Sequence, residues 1–235
     1  MKRPKIIALT GAGISAESGI KTFRDAGGLW EGHDIMEVAS PQGWRKNPKL
    51  VLDFYNIRRR QLQEVQPNIA HRALVELESL YDVHIITQNV DDLHERAGSE
   101  QVLHLHGELL KVRSTLDANL VYDWPGDLNE GDCCELGAQL RPHIVWFGEM
   151  VPMLEPAAEL MTQADAALII GTSMQVYPAA ALINYAPKFA KVYYIDPKPH
   201  IGYELTKRPN LEIIPKTATI GVRKVVDELI KAATS

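Results

Sequence analysis

The sequence of 235 residues predicts an α/β fold, in which a doubly wound sheet of parallel strands is combined with a smaller inserted domain. Three observations lead to this prediction. Short apolar runs typical of buried strands recur along the chain, helical patterns lie between several of them, and two long stretches interrupt the alternation. The composition, 46% hydrophobic and 23% charged, is typical of a globular protein with a substantial core.

Five apolar, β-branched runs predict strands of this sheet, and a weaker sixth run follows. Their positions are 5–10, 83–87, 144–147, 166–170, 192–195 and, for the weaker run, 211–214. Helical patterns occupy residues 70–80, 157–164 and 222–232. Because strands alternate with helices, we expect parallel pairing and helices on the faces of the sheet.

Residues 26–69 and 108–143 do not fit the alternation. The first stretch contains glycines, tryptophans, prolines and a helix at 50–62, and the second contains short polar segments without a clear period. Both separate strands by more than a normal connection. We predict that they form the small domain, that residues 1–25, 70–107 and 144–235 form the main domain, and that a ligand cleft lies between the two.

Charge and cysteine content limit the partners and the compartment. The net charge of −5 gives no reason to expect nucleic acid or an anionic membrane as a partner. The two cysteines, Cys133 and Cys134, are adjacent and imply no disulfide framework. The apolar run near the N-terminus is too short for a signal peptide, and no window reaches transmembrane length. We expect a cytoplasmic protein.

A glycine-rich turn follows the first predicted strand. Gly11, Gly13 and Ala16 form the G-x-G-x-x-A pattern of a Rossmann-like, dinucleotide-binding domain, in which glycines let the backbone approach a pyrophosphate. A plain tight turn would show the same pattern. An ordinary dehydrogenase would add an acidic residue at the end of a second strand about 20 residues later. Residues 22–30 are loop-like instead, which argues against hydride transfer.

Polar residues follow the later strands, where ligands of open α/β sheets bind. They are Gln88, Asn89 and Asp91 after the second run, Gly171, Thr172 and Ser173 after the fourth, and Asp196 after the fifth. Each group alone is equally typical of a helix cap or a turn, but their joint placement favours a site. His106, beside Gly107 and on the same strand face as His104, is a candidate general base.

Together these motifs resemble the sirtuin family of NAD-dependent protein deacylases, and among them the CobB-type bacterial members. Residues 11–20 are similar to the family's GAGxSxxSGI, and residues 22–24 to its TFR. Residues 88–91 resemble QN(I/V)D, 106–107 resemble HG, 145–149 resemble VWFGE, and 171–173 resemble GTS. The motifs occur in the family order and span most of the chain.

The resemblance implies that NAD and an acylated lysine of a protein substrate meet in the cleft. It implies that cofactor contacts come from Gly11, Ala12, Gly13, Ala16, Phe23, Arg24, Gln88, Asn89, His106, Gly171, Thr172, Ser173, Asp196 and Ala218. It assigns catalysis to His106 as base, with Asn89 and Asp91; Asp91 either supplies negative charge or orients Asn89. Val145, Phe147 and Gly148 would receive the peptide as an added strand.

The implied chemistry begins with loss of neutral nicotinamide from a cationic linkage, through a transition state resembling that of glycoside cleavage. The acyl oxygen captures the ribose carbon. His106 then deprotonates a ribose hydroxyl, which attacks the captured acyl carbon, and water completes the reaction. The products are free lysine, nicotinamide and O-acyl-ADP-ribose.

The sequence departs from the family at two places. The four positions that usually hold zinc correspond to Ser114, Asp117, Cys133 and Leu136, which retain one thiolate, so we predict no structural zinc. Apolar residues would form the local core instead, namely Leu116, Leu120, Val121, Tyr122, Trp124, Leu136 and Leu140. Asp196 replaces the usual asparagine that contacts adenosine.

The helix at 50–62 carries the prediction of acyl specificity. Tyr55 and Arg58 share a face beside an apolar row made of Leu50, Phe54 and Ile57. A guanidinium matches a carboxylate through two hydrogen bonds, and this Y-x-x-R pair resembles that of sirtuins acting on dicarboxylic acyl groups. We therefore expect succinyl and malonyl as well as acetyl substrates. Alternatively, Arg58 is solvated like Arg59 and Arg60, or pairs with an acid such as Glu64.

Two other functions use the same motifs. A mono-ADP-ribosyltransferase would share the NAD chemistry and use a different acceptor. A non-catalytic NAD sensor would bind without turnover, although intact His106 and Asn89 argue against it.

Overall fold

The computed structural model describes residues 3–21, 29–30 and 32–234, so Phe23 and Arg24 lie outside the described residues. The strands are β1 Lys5–Thr10, β2 Leu29–Trp30, β3 His33–Asp34, β4 Asp82–Thr87, β5 Val102–His104, β6 Gly107–Ser114, β7 Val121–Asp123, β8 Leu140–Ile144, β9 Ala166–Ile170, β10 Lys191–Ile195 and β11 Leu211–Ile214. The helices are α1 Ala12–Ser15, α2 Ile35–Val38, α3 Pro41–Lys46, α4 Pro48–Glu64, α5 Ile69–Leu77, α6 Leu93–Ala97, α7 Leu154–Met161, α8 Tyr203–Thr206 and α9 Ala218–Thr234. Among the described residues, 3-10 helices occupy Ala16–Ser18 and Ala179–Tyr185.

The main sheet has six strands in the order β11-β10-β9-β1-β4-β5, and every neighbouring pair is parallel. Apolar clusters lie on both faces: α5 and α9 cover one, and α7 and the 3-10 helix 179–185 cover the other. Residues of β1 and β9 are buried throughout, which explains their continuous apolar sequences. The predicted α/β class is confirmed, and five of the predicted runs are strands of this sheet.

The remaining predicted run, residues 144–147, is not a strand of the parallel sheet. The strand there is Leu140–Ile144, and it pairs antiparallel with β6 in a separate three-stranded sheet, β7-β6-β8. The chain leaves this strand after Ile144, because the Trp146 N–H donates to Glu149 and the Phe147 N–H donates to Ala39. The sixth strand of the main sheet is instead β5, an edge strand beside β4 that was absent from the predicted runs.

The small sheet lies in a stretch where the sequence shows no clear period. The burial of β6 alternates at both ends of the strand but breaks in the middle, where its pairing with β8 shifts between Gly107 and Val112. A bulge of this kind moves later side chains to the other face and removes the period-two signal. Two further apolar clusters, formed with α2, α3 and α4, cover this sheet. The division into two domains at the predicted boundaries stays a prediction.

None of the helices within 3–21, 29–30 and 32–234 combines the length and the apolar character that crossing a membrane requires.

Candidate active site

The turns after β1 and β9 touch each other. The Gly13 N–H donates to the Gly171 carbonyl at 2.8 Å, and the Gly11 N–H donates to the Ile170 carbonyl at 3.0 Å. A Cβ on Gly13 would lie 2.6 Å from the Gly171 Cα, and Gly171 has a φ of +60°. Glycine is therefore required at positions 13 and 171 because the two backbone segments pack against each other there. This reason is independent of whether a ligand also approaches the turn.

A buried hydrogen-bond chain follows β4. The Asn89 side-chain amide donates to Ser15 Oγ at 3.1 Å, and this hydroxyl donates to Asp91 Oδ2 at 3.0 Å. The other Asp91 oxygen accepts the Leu93 N–H at 3.2 Å. Burial raises the pKa of Asp91 to about 6, although the hydrogen bonds from Leu93 and Ser15 oppose the shift. These hydrogen bonds fix the orientation of the Asn89 amide, with its nitrogen towards Ser15.

The ends of β4, β9 and β10 are joined by further contacts. Gln88 Nε2 donates to Thr172 Oγ1 at 3.0 Å, and the Tyr194 hydroxyl donates to the Thr172 carbonyl at 3.0 Å. Asp196 is 2% exposed, and its carboxylate accepts the Lys198 N–H at 2.8 Å. The predicted polar residues thus gather at the carboxyl edge of the sheet, where a parallel α/β sheet binds ligands.

The remaining predicted cofactor residues lie at the starts of helices or turns around this edge. α9 is tied to the turn after β1, because the Glu17 carboxylate accepts the Thr219 N–H at 2.9 Å and its hydroxyl at 2.7 Å. These remaining residues are Ala12 and Ala218, which begin α1 and α9, Ala16, which begins the first 3-10 helix, and Ser173, which follows Thr172.

His106 lies just beyond β5, beside the segment after β4. Its Nδ1 is 3.0 Å from the Gln88 carbonyl oxygen, which can only accept, so Nδ1 carries the proton and Nε2 is the basic nitrogen. Burial lowers the pKa of His106, although its hydrogen bond to Gln88 opposes the shift. The ring is therefore neutral and able to accept a proton at neutral pH.

Residues 145–149 form a bent segment beside His106. The Val145 N–H donates to the His106 carbonyl at 2.9 Å, and the Phe147 N–H donates to the Ala39 carbonyl at 3.0 Å. The Trp146 N–H donates to Glu149 Oε2 at 2.8 Å. Phe147 and Gly148 are exposed, whereas Trp146 is buried. The segment thus presents a side chain and a stretch of backbone to the surface.

Glu149 anchors this segment. Arg141 contacts it through both Nη atoms, at 2.7 and 3.1 Å, and Arg113 approaches to 3.2 Å. The Arg141 guanidinium also lies over the Trp146 ring, 3.3 Å from its centroid. Sequence reasoning missed the roles of Ser15, Trp146 and Glu149 as supports, although all three lie inside the motifs that it quoted.

α4 brings Tyr55 to the same segment. Trp146 Nε1 donates to the Tyr55 hydroxyl at 3.0 Å, and Tyr55 is fully buried, which raises its pKa. Arg58 is 9% exposed, with its guanidinium 5.5 Å from the Phe54 ring centroid. The alternative that Arg58 is solvated is therefore wrong.

Two details of the predicted α4 faces also differ. Arg59 is fully buried and donates to the Leu109 carbonyl and to Asn56, whereas Arg60 is exposed and pairs with Asp127. Ile57, expected on the apolar row, is 47% exposed. The helix is buried on a wider arc than its apolar residues alone indicate, because polar side chains reach partners in the small sheet.

Residues 11–178 match the Sir2 family. The chain belongs to the Sir2 family. An NAD-dependent protein deacylase of Helicobacter pylori is 62% identical over 229 residues, which are 97% of each chain. One of Bacteroides thetaiotaomicron is 50% identical over 233 residues, covering 97% of this chain and 98% of the relative.

Solved Sir2 structures share the fold. A Sir2 homolog in complex with NAD has a TM-score of 0.86 at 38% identity, covering 98% of this chain and 91% of its own. A Sir2 protein bound to acetylated peptide has a TM-score of 0.79 at 27% identity, covering 96% and 93%. The fold of the Sir2 family therefore extends over nearly the whole length of this chain, with the parallel sheet as its Rossmann-like part.

The region that corresponds to the family's zinc module is packed by side chains in this Sir2 chain. Within 3–21, 29–30 and 32–234, no three His, Cys, Asp or Glu side chains form a group that could hold a metal ion. The residue beside Ser114 is Cys134, with Sγ 3.2 Å from Ser114 Oγ, whereas Cys133 is exposed. Of the predicted local core, Leu120, Tyr122, Trp124 and Leu140 pack together, while Leu116, Val121 and Leu136 are exposed.

Proposed function

We propose that the chain is an NAD-dependent protein-lysine deacylase, which removes acetyl, succinyl and malonyl groups and yields nicotinamide and O-acyl-ADP-ribose. The observation that carries the proposal is the neutral, Nδ1-protonated His106 beside the Asn89–Ser15–Asp91 chain. A base with a defined free nitrogen, next to an oriented amide, suits proton removal in a site that discharges nicotinamide. Membership of the Sir2 family and the names of the relatives support the same activity.

The residues at the sheet edge fit NAD by their chemistry. Buried amide and hydroxyl groups of Asn89 and Thr172 lie beyond the ends of β4 and β9, the two strands that flank β1, beside the glycine turn that precedes α1. When bound, NAD supplies an ADP-ribosyl group whose nicotinamide departs as a neutral molecule. The residues proposed to hold it are Gly11, Ala12, Gly13, Ala16, Phe23, Arg24, Gln88, Asn89, His106, Gly171, Thr172, Ser173, Asp196 and Ala218.

The catalytic residues divide the work. His106 accepts a proton at Nε2, and its Nδ1–H to the Gln88 carbonyl prevents the ring from turning over. Asp91 orients Asn89 through Ser15, which favours this role over that of a free negative charge. Because the Asn89 nitrogen is bound to Ser15, the amide oxygen is the atom that Asn89 offers to the site.

The peptide is proposed to bind at Val145, Phe147 and Gly148. The N–H groups of Val145, Trp146 and Phe147 already donate within the chain. An added peptide strand must therefore donate its own amides to carbonyl oxygens of this segment.

Selectivity for acidic acyl groups is assigned to Tyr55 and Arg58. The hydrogen bond from Trp146 to the Tyr55 hydroxyl links α4 to residues 145–149, where the peptide is proposed to bind. Arg58 follows Tyr55 by about one helical turn, which supports a role for its guanidinium next to the peptide. The guanidinium of Arg58 matches the carboxylate of a succinyl or malonyl group in charge and in its paired hydrogen-bond geometry, and acetyl has no such carboxylate.

The test is mass spectrometry of acetyl-lysine and succinyl-lysine peptides incubated with the protein and NAD. The proposal expects free lysine and O-acyl-ADP-ribose from both peptides. Labelled ADP-ribose on protein without acyl transfer would identify a mono-ADP-ribosyltransferase, and NAD binding without any product would identify a sensor.

A further inference from the structure

Two histidines hold consecutive carbonyl groups of the segment after β4. His106 Nδ1 is 3.0 Å from the Gln88 oxygen, and His104 Nδ1 is 3.1 Å from the Asn89 oxygen. A carbonyl oxygen only accepts, so both rings donate from Nδ1. The backbone of the residues proposed to contact nicotinamide is thus fixed by the two rings.

The two rings differ at the other nitrogen. His104 Nε2 lies 2.6 Å from Glu95 Oε1 on α6, and a carboxylate also only accepts. His104 therefore donates from both nitrogens and carries a positive charge, whereas His106 is neutral. The sequence predicts two histidines on one strand face, and the structure gives them different charge states: His104 is positive and His106 is neutral.

The surroundings of His104 agree with this charge. Burial lowers the pKa of His104, but Glu95, Glu108 and the Asn89 carbonyl together raise it above its ordinary value. Other titratable groups that act on or respond to this ring are His94, which burial keeps neutral by lowering its pKa, and Asp91.

We infer that His104 is a positioning residue that acts as a clamp: its Nδ1–H holds the Asn89 carbonyl and so fixes the segment 88–91, while Glu95 on α6 keeps the ring protonated at both nitrogens so that this bond persists. The inference rests on the proposed function, since it assigns this segment to nicotinamide. If the ring lost a proton, the remaining N–H would stay with the Glu95 carboxylate, because a bond to an ion is stronger than one to a carbonyl. The Asn89 carbonyl would then face a lone pair, and the segment would be released.

Two substitutions separate the halves of the clamp. In His104→Asn the amide nitrogen takes the place of Nδ1 and keeps the Asn89 bond, whereas in His104→Gln it takes the place of Nε2 and keeps the Glu95 bond. We expect His104→Gln to raise KM for NAD and the nicotinamide inhibition constant by roughly tenfold, the scale of one hydrogen bond to a charged group, with KM for the peptide within about twofold. His104→Asn should remain within about threefold of wild type in all three constants.

A matched control lies at the opposite end of β4, where His84 Nε2 contacts Asp82 at 2.9 Å. His84→Gln should leave KM for NAD unchanged. Wild-type turnover of acetyl-lysine peptide is measured first, because its absence would refute the proposed function and not the clamp. If the wild type is active, near-normal constants in His104→Gln, or a loss in His104→Asn alone, would overturn the inference.

A measurement on the unsubstituted protein does not depend on how the variants fold. Nitrogen NMR of the histidine rings at neutral pH should show His104 protonated at both nitrogens and His106 protonated at Nδ1 alone. A neutral His104 would overturn the inference.

Discussion

His106 shows how one backbone contact can set the chemistry of a side chain. The Gln88 carbonyl fixes the tautomer, and burial lowers the pKa of the ring. His106→Ala should therefore leave NAD and peptide binding within a few-fold of wild type and reduce turnover by roughly 10²–10⁴-fold, the usual contribution of a positioned base. Steady-state kinetics with direct binding measurements test this, and near-normal turnover would contradict the assignment.

The pH dependence of turnover has a defined sign. A general base must be neutral, so activity falls as the pH drops through the pKa of His106, which lies below the ordinary histidine value. We expect activity to persist in mildly acidic solution, with the acidic limb below that ordinary value. An acidic limb above the ordinary histidine pKa would argue that another group is the base.

Asp91→Asn tests the orientation of Asn89. The new amide can donate to Ser15 while its oxygen accepts from Leu93, so the Ser15 hydroxyl would donate to Asn89 and turn that amide over. The variant would then present a nitrogen where the wild type presents an oxygen. We expect kcat to fall roughly tenfold or more, the scale of a mismatched buried hydrogen bond. Unchanged kcat would contradict the orienting role.

The same substitution should stabilise the fold above neutral pH. The folded-state pKa of Asp91, about 6, lies above its ordinary value, so its contribution to stability is complete below that ordinary value and is lost as the pH rises through 6. The asparagine does not titrate, so the free energy of unfolding of the variant should gain on that of the wild type as the pH rises. This gap should grow by about 3 kcal/mol, which corresponds to roughly two pKa units. Urea unfolding at pH 4 and pH 8 measures it; an equal gap at both pH values would contradict the argument.

At the scale of elements, α4 carries the proposed acyl specificity. Arg58→Met should lower kcat/KM on succinyl-lysine roughly tenfold to a hundredfold and leave acetyl-lysine nearly unchanged, because one charge-assisted contact is lost. Arg60→Met is the matched control, since Arg60 is on the same helix, exposed and paired with Asp127. Equal losses on both substrates would mean that Arg58 is structural.

The elements also show what the sequence could predict. β1 and β9 have the expected bounds, because both strands are buried on both faces and are mostly apolar. β11 also has the expected bounds, although it is an edge strand in which only Ile214 is buried. The motif residues at their ends could be placed because carboxyl ends of parallel strands share one edge. The register shift in β6 removed the alternating pattern from its sequence. Residues 144–147 were wrongly predicted as a strand of the main sheet because Trp146 is buried against α4 and not within that sheet. The contact between His104 and Glu95 could not be predicted from the sequence, since a sequence gives no distance between a strand and a helix.

At the scale of the molecule, the metal content of the small sheet is open to direct measurement. Leu52, Val112, Leu128, Cys134 and Leu140 form a buried cluster in the small sheet, around the positions that the resemblance matches to zinc ligands. We expect purified protein to contain less than stoichiometric zinc by elemental analysis, and chelation to leave the melting temperature unchanged. Stoichiometric zinc whose removal unfolds the protein would contradict this.

His106 is bonded on two sides: its ring to the segment after β4 and its carbonyl to the Val145 N–H. The two proposed substrates therefore share a support, and we expect a shift of one loop to affect the other. Thermodynamic linkage then requires reciprocity: if peptide changes the affinity for ADP-ribose by some factor, ADP-ribose must change the affinity for peptide by the same factor. Titration calorimetry in both orders would measure that factor, and the enzyme would sense one substrate through the other without a separate regulatory site.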